Sequence, residues 1–136
     1  MRSLFFISFI FLSCTSNNRS TDVTVDTSNK LALTDIKFLN RRVDLGSVSD
    51  DTLLTAKYSF VNIGNYPLFI DYVSPDCTCT GYYISQRRIL PKDTAYILLK
   101  LATKNKYGNE KLFAVVSTNT LQRLYSLELL ANIIER

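Results

Sequence analysis

Val43–Thr80 reads VDLGSVSDDTLLTAKYSFVNIGNYPLFIDYVSPDCTCT, and its punctuation decides the fold class. From Leu54 the pattern alternates: Leu54, Ala56, Tyr58 and Phe60 fall on one side, and Thr55, Lys57 and Ser59 on the other. A period of two with one apolar face predicts a half-buried strand, most often antiparallel. Asn62-Ile63-Gly64-Asn65-Tyr66-Pro67 then reads as a turn: Gly64 is free to take positive φ, and Pro67 drives Tyr66 into an extended conformation. A second strand follows, with Leu68, Ile70 and Tyr72 expected on one face and Phe69, Asp71 and Val73 on the other. Ser74-Pro75-Asp76 ends it and delivers Cys77-Thr78-Cys79-Thr80.

Upstream of that stretch, Leu31–Phe38 alternates loosely as a first strand. Val43-Asp44-Leu45 is a short strand closed by Gly46, and Ser49-Asp50-Asp51 supplies turn chemistry. Downstream, Tyr82-Tyr83-Ile84 fits either a short edge strand or a loop. Ile89–Asp93 is a turn with Pro at its second position. Ala95, Ile97, Leu99 and Leu101 mark a strand, and Tyr107-Gly108-Asn109 a hairpin-like turn. Leu112–Ser117 is another strand, and Thr118-Asn119-Thr120 turns. Tyr125, Leu127, Leu129, Ala131 and Ile133 mark a final strand; helix is the alternative there, since Leu, Glu and Ala favour it. About seven short strands with turn signals between them predict an all-β fold, an Ig-like antiparallel β-sandwich.

The chain of 136 residues has room for one domain, and eight Tyr and eight Phe suit pleated faces. Net charge is +4 with signs interspersed, so no basic run tracks phosphates and nucleic acid is not an expected partner. There is no histidine, which removes Ser-His and Cys-His nucleophile pairs and His-ligated metal sites.

The first residues point to an address. Met1-Arg2-Ser3 is a short basic start, and Leu4–Leu12 is an apolar run too short to span a bilayer as a helix. Phe11-Leu12-Ser13-Cys14 resembles a bacterial lipoprotein signal, which implies a signal peptide over 1–13 and lipidation of Cys14. Residues 15–30 are rich in Thr, Ser, Asn and Asp and are expected to act as a tether. Lipidated Cys14 and tether thus occupy 14–30, and the Ig-like domain 31–136. No acidic cluster follows Cys14, unlike surface-export signals of some Bacteroidota lipoproteins. The expected place is therefore the cell envelope, on the outer membrane facing the periplasm.

Taken in order, several of these motifs resemble the DUF1573 family of bacterial Ig-like domains, related in architecture to ASH/MSP-type sandwiches. Asp44-Leu45-Gly46 resembles its D-x-G turn, Tyr58–Gly64 its F-x-F-x-N-x-G strand and turn, and Pro67–Ile70 its P-L-x-I. Cys77-Thr78-Cys79-Thr80 matches C-G-C-T with Thr78 for Gly, and Ile89–Lys92 matches I-x-P-G with Lys92 for Gly. Thr118-Asn119 resembles a late T-N turn. The resemblance covers roughly 43–134 and implies a sandwich without implying an activity.

Cys77 and Cys79 are the one chemical constellation. In an extended strand i and i+2 share a face with Cα atoms about 6.5–7 Å apart, at the edge of disulfide range; a turn at Thr78 would close the gap. The pair could be a static disulfide, two buried thiols, part of a metal site lacking its other ligands, or a redox-active couple. Asp76 beside Cys77 should raise a thiol pKa. Asp51-Thr52-Leu53 and Asp93-Thr94-Ala95 resemble the O-glycosylation triplet of Bacteroidota envelope proteins. No carboxylate pair suits catalysis, and no catalytic residue, metal or cofactor is assigned. The reading is a non-enzymatic, lipid-anchored envelope module that binds a protein or envelope polymer. The alternative is a thiol-redox or metal-handling protein that uses Cys77 and Cys79.

Overall fold

The structure, a computed structural model, describes residues 32–135. Lipidation at Cys14, the apolar run 4–12 and the tether 15–30 lie outside the described residues.

All the described regular structure is strand. In chain order it comprises β1 (Ile36–Phe38), β2 (Arg42–Ser49), β3 (Leu53–Asn62), β4 (Leu68–Pro75), β5 (Thr80–Ile84), β6 (Arg88–Ile89), β7 (Thr94–Ala102), β8 (Gly108–Thr118) and β9 (Leu124–Ile134). They form a four-stranded sheet ordered β1-β3-β7-β5 and a five-stranded sheet ordered β2-β9-β8-β4-β6. The expected sandwich is therefore present, with nine strands rather than about seven. The two beyond the seven that the sequence marks are β5, which it leaves open between strand and loop, and the two-residue β6.

The core follows the alternation. Ala56, Tyr58 and Phe60 of β3 and Ala95, Ile97, Leu99 and Leu101 of β7 face Leu112, Ala114 and Val116 of β8 and the odd positions of β9 from Tyr125 to Ile133, all buried. Helix is thereby ruled out for the last segment: eleven residues with every second one buried cannot present one apolar stripe at a 3.6-residue period.

Three departures from the sequence reading have local causes. In β4 the ladder to β8 shifts between Ile70 and Tyr72. That bulge inverts the phase, so Val73 is buried and Tyr72 is 48% exposed, the reverse of uninterrupted alternation. In β2, Gly46 does not end the strand. It takes φ +64° inside a register shift, Asp44 Oδ1 accepts its N–H at 2.9 Å, and the strand resumes at Ser47. Finally β2 runs parallel to β9 while every other named strand pair is antiparallel. β1 lies in the opposite sheet, and Asn40 at the crossing extends its ladder: its side chain donates to Lys57 O (2.9 Å) and accepts from Ser59 N (3.1 Å).

Candidate functional site

The chain passes from the five-stranded to the four-stranded sheet through Asp76–Cys79, and here the two cysteines meet. Asp76 is tied to β8: its N–H donates to Phe113 O (2.9 Å) and its Oδ2 accepts from Phe113 N (3.0 Å). Thr80 N–H donates back to Cys77 O at 3.1 Å, closing a tight turn with Thr78 and Cys79 at its centre. The turn brings the Cα atoms to 5.2 Å, and Cys77 and Cys79 are joined by a disulfide. Both cysteines are half-buried against the core edge and Thr78 is exposed. Cys79 N–H points at Cys77 Sγ, 3.2 Å away. Thr78 is not among the residues at positive φ, so Thr fits where a glycine stands in the family pattern. Among the described residues no group of three or more metal-ligating side chains is gathered, here or elsewhere.

Next to this corner lies β5, the open edge of the four-stranded sheet. Ser85 N donates to Tyr96 O at 3.0 Å, which fixes the phase of the ladder. Tyr83 and Gly81 therefore direct their backbone groups to β7, while Tyr82 and Ile84 direct theirs to the open side. Tyr82 is opposite Leu99 on the core side of the sheet and is still 43% exposed, because no described strand flanks it beyond the edge. Tyr83 is on the outer face and packs with Tyr96, ring centroids 6.3 Å apart, and Lys57 Nζ lies 4.4 Å from the Tyr96 ring centre. Sequence reading left Tyr82–Ile84 open between edge strand and loop; it is the edge strand. The Tyr83–Tyr96–Lys57 cluster carries no sequence signal, since its members come from three strands joined only by register.

The other edge strands are short or bulged, although beyond β1 and β6 the strands β3 (Leu53–Ala56) and β4 (Tyr72–Pro75) also have a side with no named strand against it. β2 is bulged, and Asp44 Oδ1 accepts the Gly46 amide two residues on. β1 and β6 are three and two residues long. Short length, bulges and charge are the usual protections of a sheet edge, and β5 (TGYYI) has neither charge nor bulge.

The motif residues around Asn62 turn out to be structural. Asn62 has no exposed surface: its Nδ2 donates to Tyr66 O (2.8 Å) and Ile89 O (3.0 Å), and its Oδ1 accepts from Gly64 N (3.1 Å) and Thr34 Oγ1 (3.0 Å). Asn119, expected in an ordinary turn, is buried, donating to Ala32 O and Pro67 O and accepting from Phe69 N. Thr118, Thr120 and Tyr125 continue this polar seam by hydroxyl contacts of 3.0 and 2.9 Å.

On the outer face of the five-stranded sheet a shallow cavity of about 440 Å³ is lined by Arg42, Asp44, Lys111, Asn109 and Asn132. Glu128 beside it takes Lys111 Nζ at 2.9 Å and Arg42 Nη1 at 3.8 Å. The hydrogen bond from Lys111, with the charges of Lys111 and Arg42, holds its carboxyl below the usual range. Tyr58 donates to Glu128 O (2.8 Å), and burial, with the nearby Glu128 charge, pushes its phenol well above the ordinary value. Both groups serve the framework, since neither faces a cleft with a second reactive side chain.

Comparison with known proteins agrees with this architecture. The family described as "Protein of unknown function (DUF1573)" matches residues 36–133. A search of curated proteins finds no match. A crystal structure of a protein of unknown function from Porphyromonas gingivalis W83 is similar at TM-score 0.66 and 14% identity, over 76% of this chain and 48% of that one. The chain thus spans about half the length of that protein. The ASH/PapD-like domain 7 of human CEP192 follows at TM-score 0.57 and 11% identity, over 76% and 88%. The secreted serine protease VesC from Vibrio cholerae gives 0.54 and 11%, over 80% of this chain and 25% of the protease. At these identities the likeness is one of fold.

Proposed function

The chain belongs to the DUF1573 family of proteins of unknown function, and from that premise we propose that it is a non-enzymatic binding module of the cell envelope, held to a membrane through lipidated Cys14 and facing the periplasm. The bound class is a protein, captured as an added strand on β5, in preference to an envelope polymer.

The observation that carries the reading is the unguarded β5 edge. Tyr82 and Ile84 turn their backbone groups outward, and the side chains of Tyr82 and Tyr83 are exposed along this edge. A free edge supplies affinity through main-chain hydrogen bonds, and neighbouring side chains supply selection. Tyrosine suits such a surface because it offers large contact area with few rotatable bonds. The PapD-like likeness supports a binding role at the level of fold.

The test separates backbone from side chain. Tyr82→Pro removes the outward N–H without breaking a bond to β7, whereas Tyr82→Ala keeps that N–H. Envelope proteins retained by the wild-type chain should be lost by more than about tenfold with Tyr82→Pro and only in part with Tyr82→Ala. Equal retention by all three chains, each shown to be folded, would reject β5 as the binding edge. Retention of a glycan in place of a protein would favour the polymer reading.

A further inference from the structure

The Cys77–Cys79 bridge joins residues two positions apart. A disulfide stabilises chiefly by restricting the unfolded chain, and the restriction shrinks with the loop, so this one contributes little to stability. The corner also has its own supports: Asp76 is bonded twice to Phe113, Thr80 N–H reaches Cys77 O, and Thr80 is in register with Leu101. None of these depends on the sulfurs. The bridge is half-buried, and the residue between its ends is exposed. A bond that secures little, that a thiolate can approach, and that the fold can lose without rearranging is suited to chemistry.

The geometry also distinguishes the two sulfurs. Cys79 N–H is aimed at Cys77 Sγ across 3.2 Å. A backbone N–H directed at sulfur stabilises the thiolate, and the more stable thiolate leaves faster. Among the described residues, the polar contact at Cys79 Sγ is the Thr80 hydroxyl, farther off at 4.0 Å.

We propose that the Cys77–Cys79 corner is a thiol–disulfide exchange site whose partner is a dithiol protein. A partner thiolate attacks Cys79 Sγ; the Sγ–Sγ bond breaks and its electron pair leaves on Cys77 Sγ, held by Cys79 N–H. The partner's second thiolate then attacks the partner's own sulfur in the mixed disulfide and releases Cys79 as a thiolate. Two electrons pass to this chain, the partner's dithiol becomes its disulfide, and the two partner protons end on Cys77 and Cys79. The reverse sequence returns the electrons.

The experiment uses the full chain carrying Cys14→Ser, in mild detergent, so that two cysteines remain. Reduced glutathione is the probe, and adducts are trapped by acid and mapped by peptide mass. The expected result is opening in native buffer with an unchanged circular dichroism spectrum, and a glutathione adduct at Cys79 favoured by about tenfold over Cys77. A bridge that opens only together with unfolding would overturn the proposal, and an adduct that favours Cys77 or neither would overturn the assignment of the leaving sulfur. Single-thiol chains give an independent readout. Asp76 adjoins Cys77 and opposes its thiolate, but its Oδ2 is engaged by Phe113 N (3.0 Å) and the N–H that faces Cys77 is retained in Cys79→Ser, so alkylation of Cys77 there should reach half-maximal rate about one pH unit lower than that of Cys79 in Cys77→Ser. Coincident pH profiles would contradict the role given to Cys79 N–H.

Discussion

Asn62 Nδ2 donates to Ile89 O across 3.0 Å from a side chain with no exposed surface, tying the end of β3 to the strand that enters the Leu90–Asp93 turn. The same amide holds Tyr66 O, so one residue fixes both the β3–β4 loop and the end of β6. Asn62→Ala would take this donor from Ile89 O and the acceptor from Gly64 N, while Tyr66 O keeps Thr34 Oγ1 at 2.9 Å, and an unsatisfied buried polar group costs about 1–3 kcal/mol. A loss of about 3 kcal/mol is expected in urea unfolding at unchanged m-value, with Asn62→Asp also destabilising because it supplies no donor.

Gly64 packs against Thr34 and Asp35. A Cβ there would stand 2.6 Å from Asp35 N and still closer to Thr34 Oγ1. The obstacle is backbone, which cannot swing aside, so Gly64→Ala should cost about 2–3 kcal/mol. Since Gly64 does not sit at positive φ, the cause is space and not backbone strain, and shortening the neighbour by Thr34→Gly should fail to rescue it because the Asp35 amide remains. Full rescue in thermal unfolding would contradict this assignment.

Lys92 holds φ +71° in the turn closed by Asp93 N–H to Leu90 O (3.1 Å). An L-residue pays for that conformation, whereas glycine does not. Lys92→Gly should therefore stabilise the domain by about 0.5–1 kcal/mol, visible as a raised melting temperature. Thr78→Gly, at the other position where the family pattern has glycine, should not stabilise, because Thr78 is not at positive φ.

Glu128 is held below its usual range first by the hydrogen bond from Lys111. A carboxyl whose folded pKa lies below its unfolded one contributes stability above the unfolded value, near 4.5, and that contribution is lost as pH falls through the folded one. The stability gap between wild type and Glu128→Gln should therefore be present near neutral pH and close as the pH is taken down through and below the ordinary carboxylate range. The pair lies at the surface, so added salt should narrow the gap at neutral pH as well. A gap independent of pH would assign the effect to packing.

Much of the fold is legible because burial imposes a period. Ala95–Leu101 and Tyr125–Ile133 alternate without interruption, and both strands lie where the pattern puts them. Tyr72 fell on the wrong face because a bulge changes the phase without changing composition. The parallel pairing of β2 with β9 is a choice between sheets, made by residues more than eighty positions apart, and no local pattern encodes it. Asn119 reads as a turn residue because Asn is common in exposed turns; its burial depends on carbonyls of Ala32 and Pro67 brought to it by the fold. Of the candidate site, the Cys77–Cys79 pair is visible as a motif, but the turn that brings its Cα atoms to 5.2 Å is closed by a bond from Thr80 to Cys77, and the exposure of β5 is a property of sheet order.

The most direct test of the binding account is a photocrosslinking residue placed at Tyr82 in the full chain, exported in living cells and read by mass spectrometry. Ser126, exposed on the outer face of the opposite sheet, is the control position. The account predicts a discrete protein adduct from position 82 that is absent from position 126 and is lost when a proline is placed at Ile84. Identical adducts from 82 and 126, or none from 82, would contradict it.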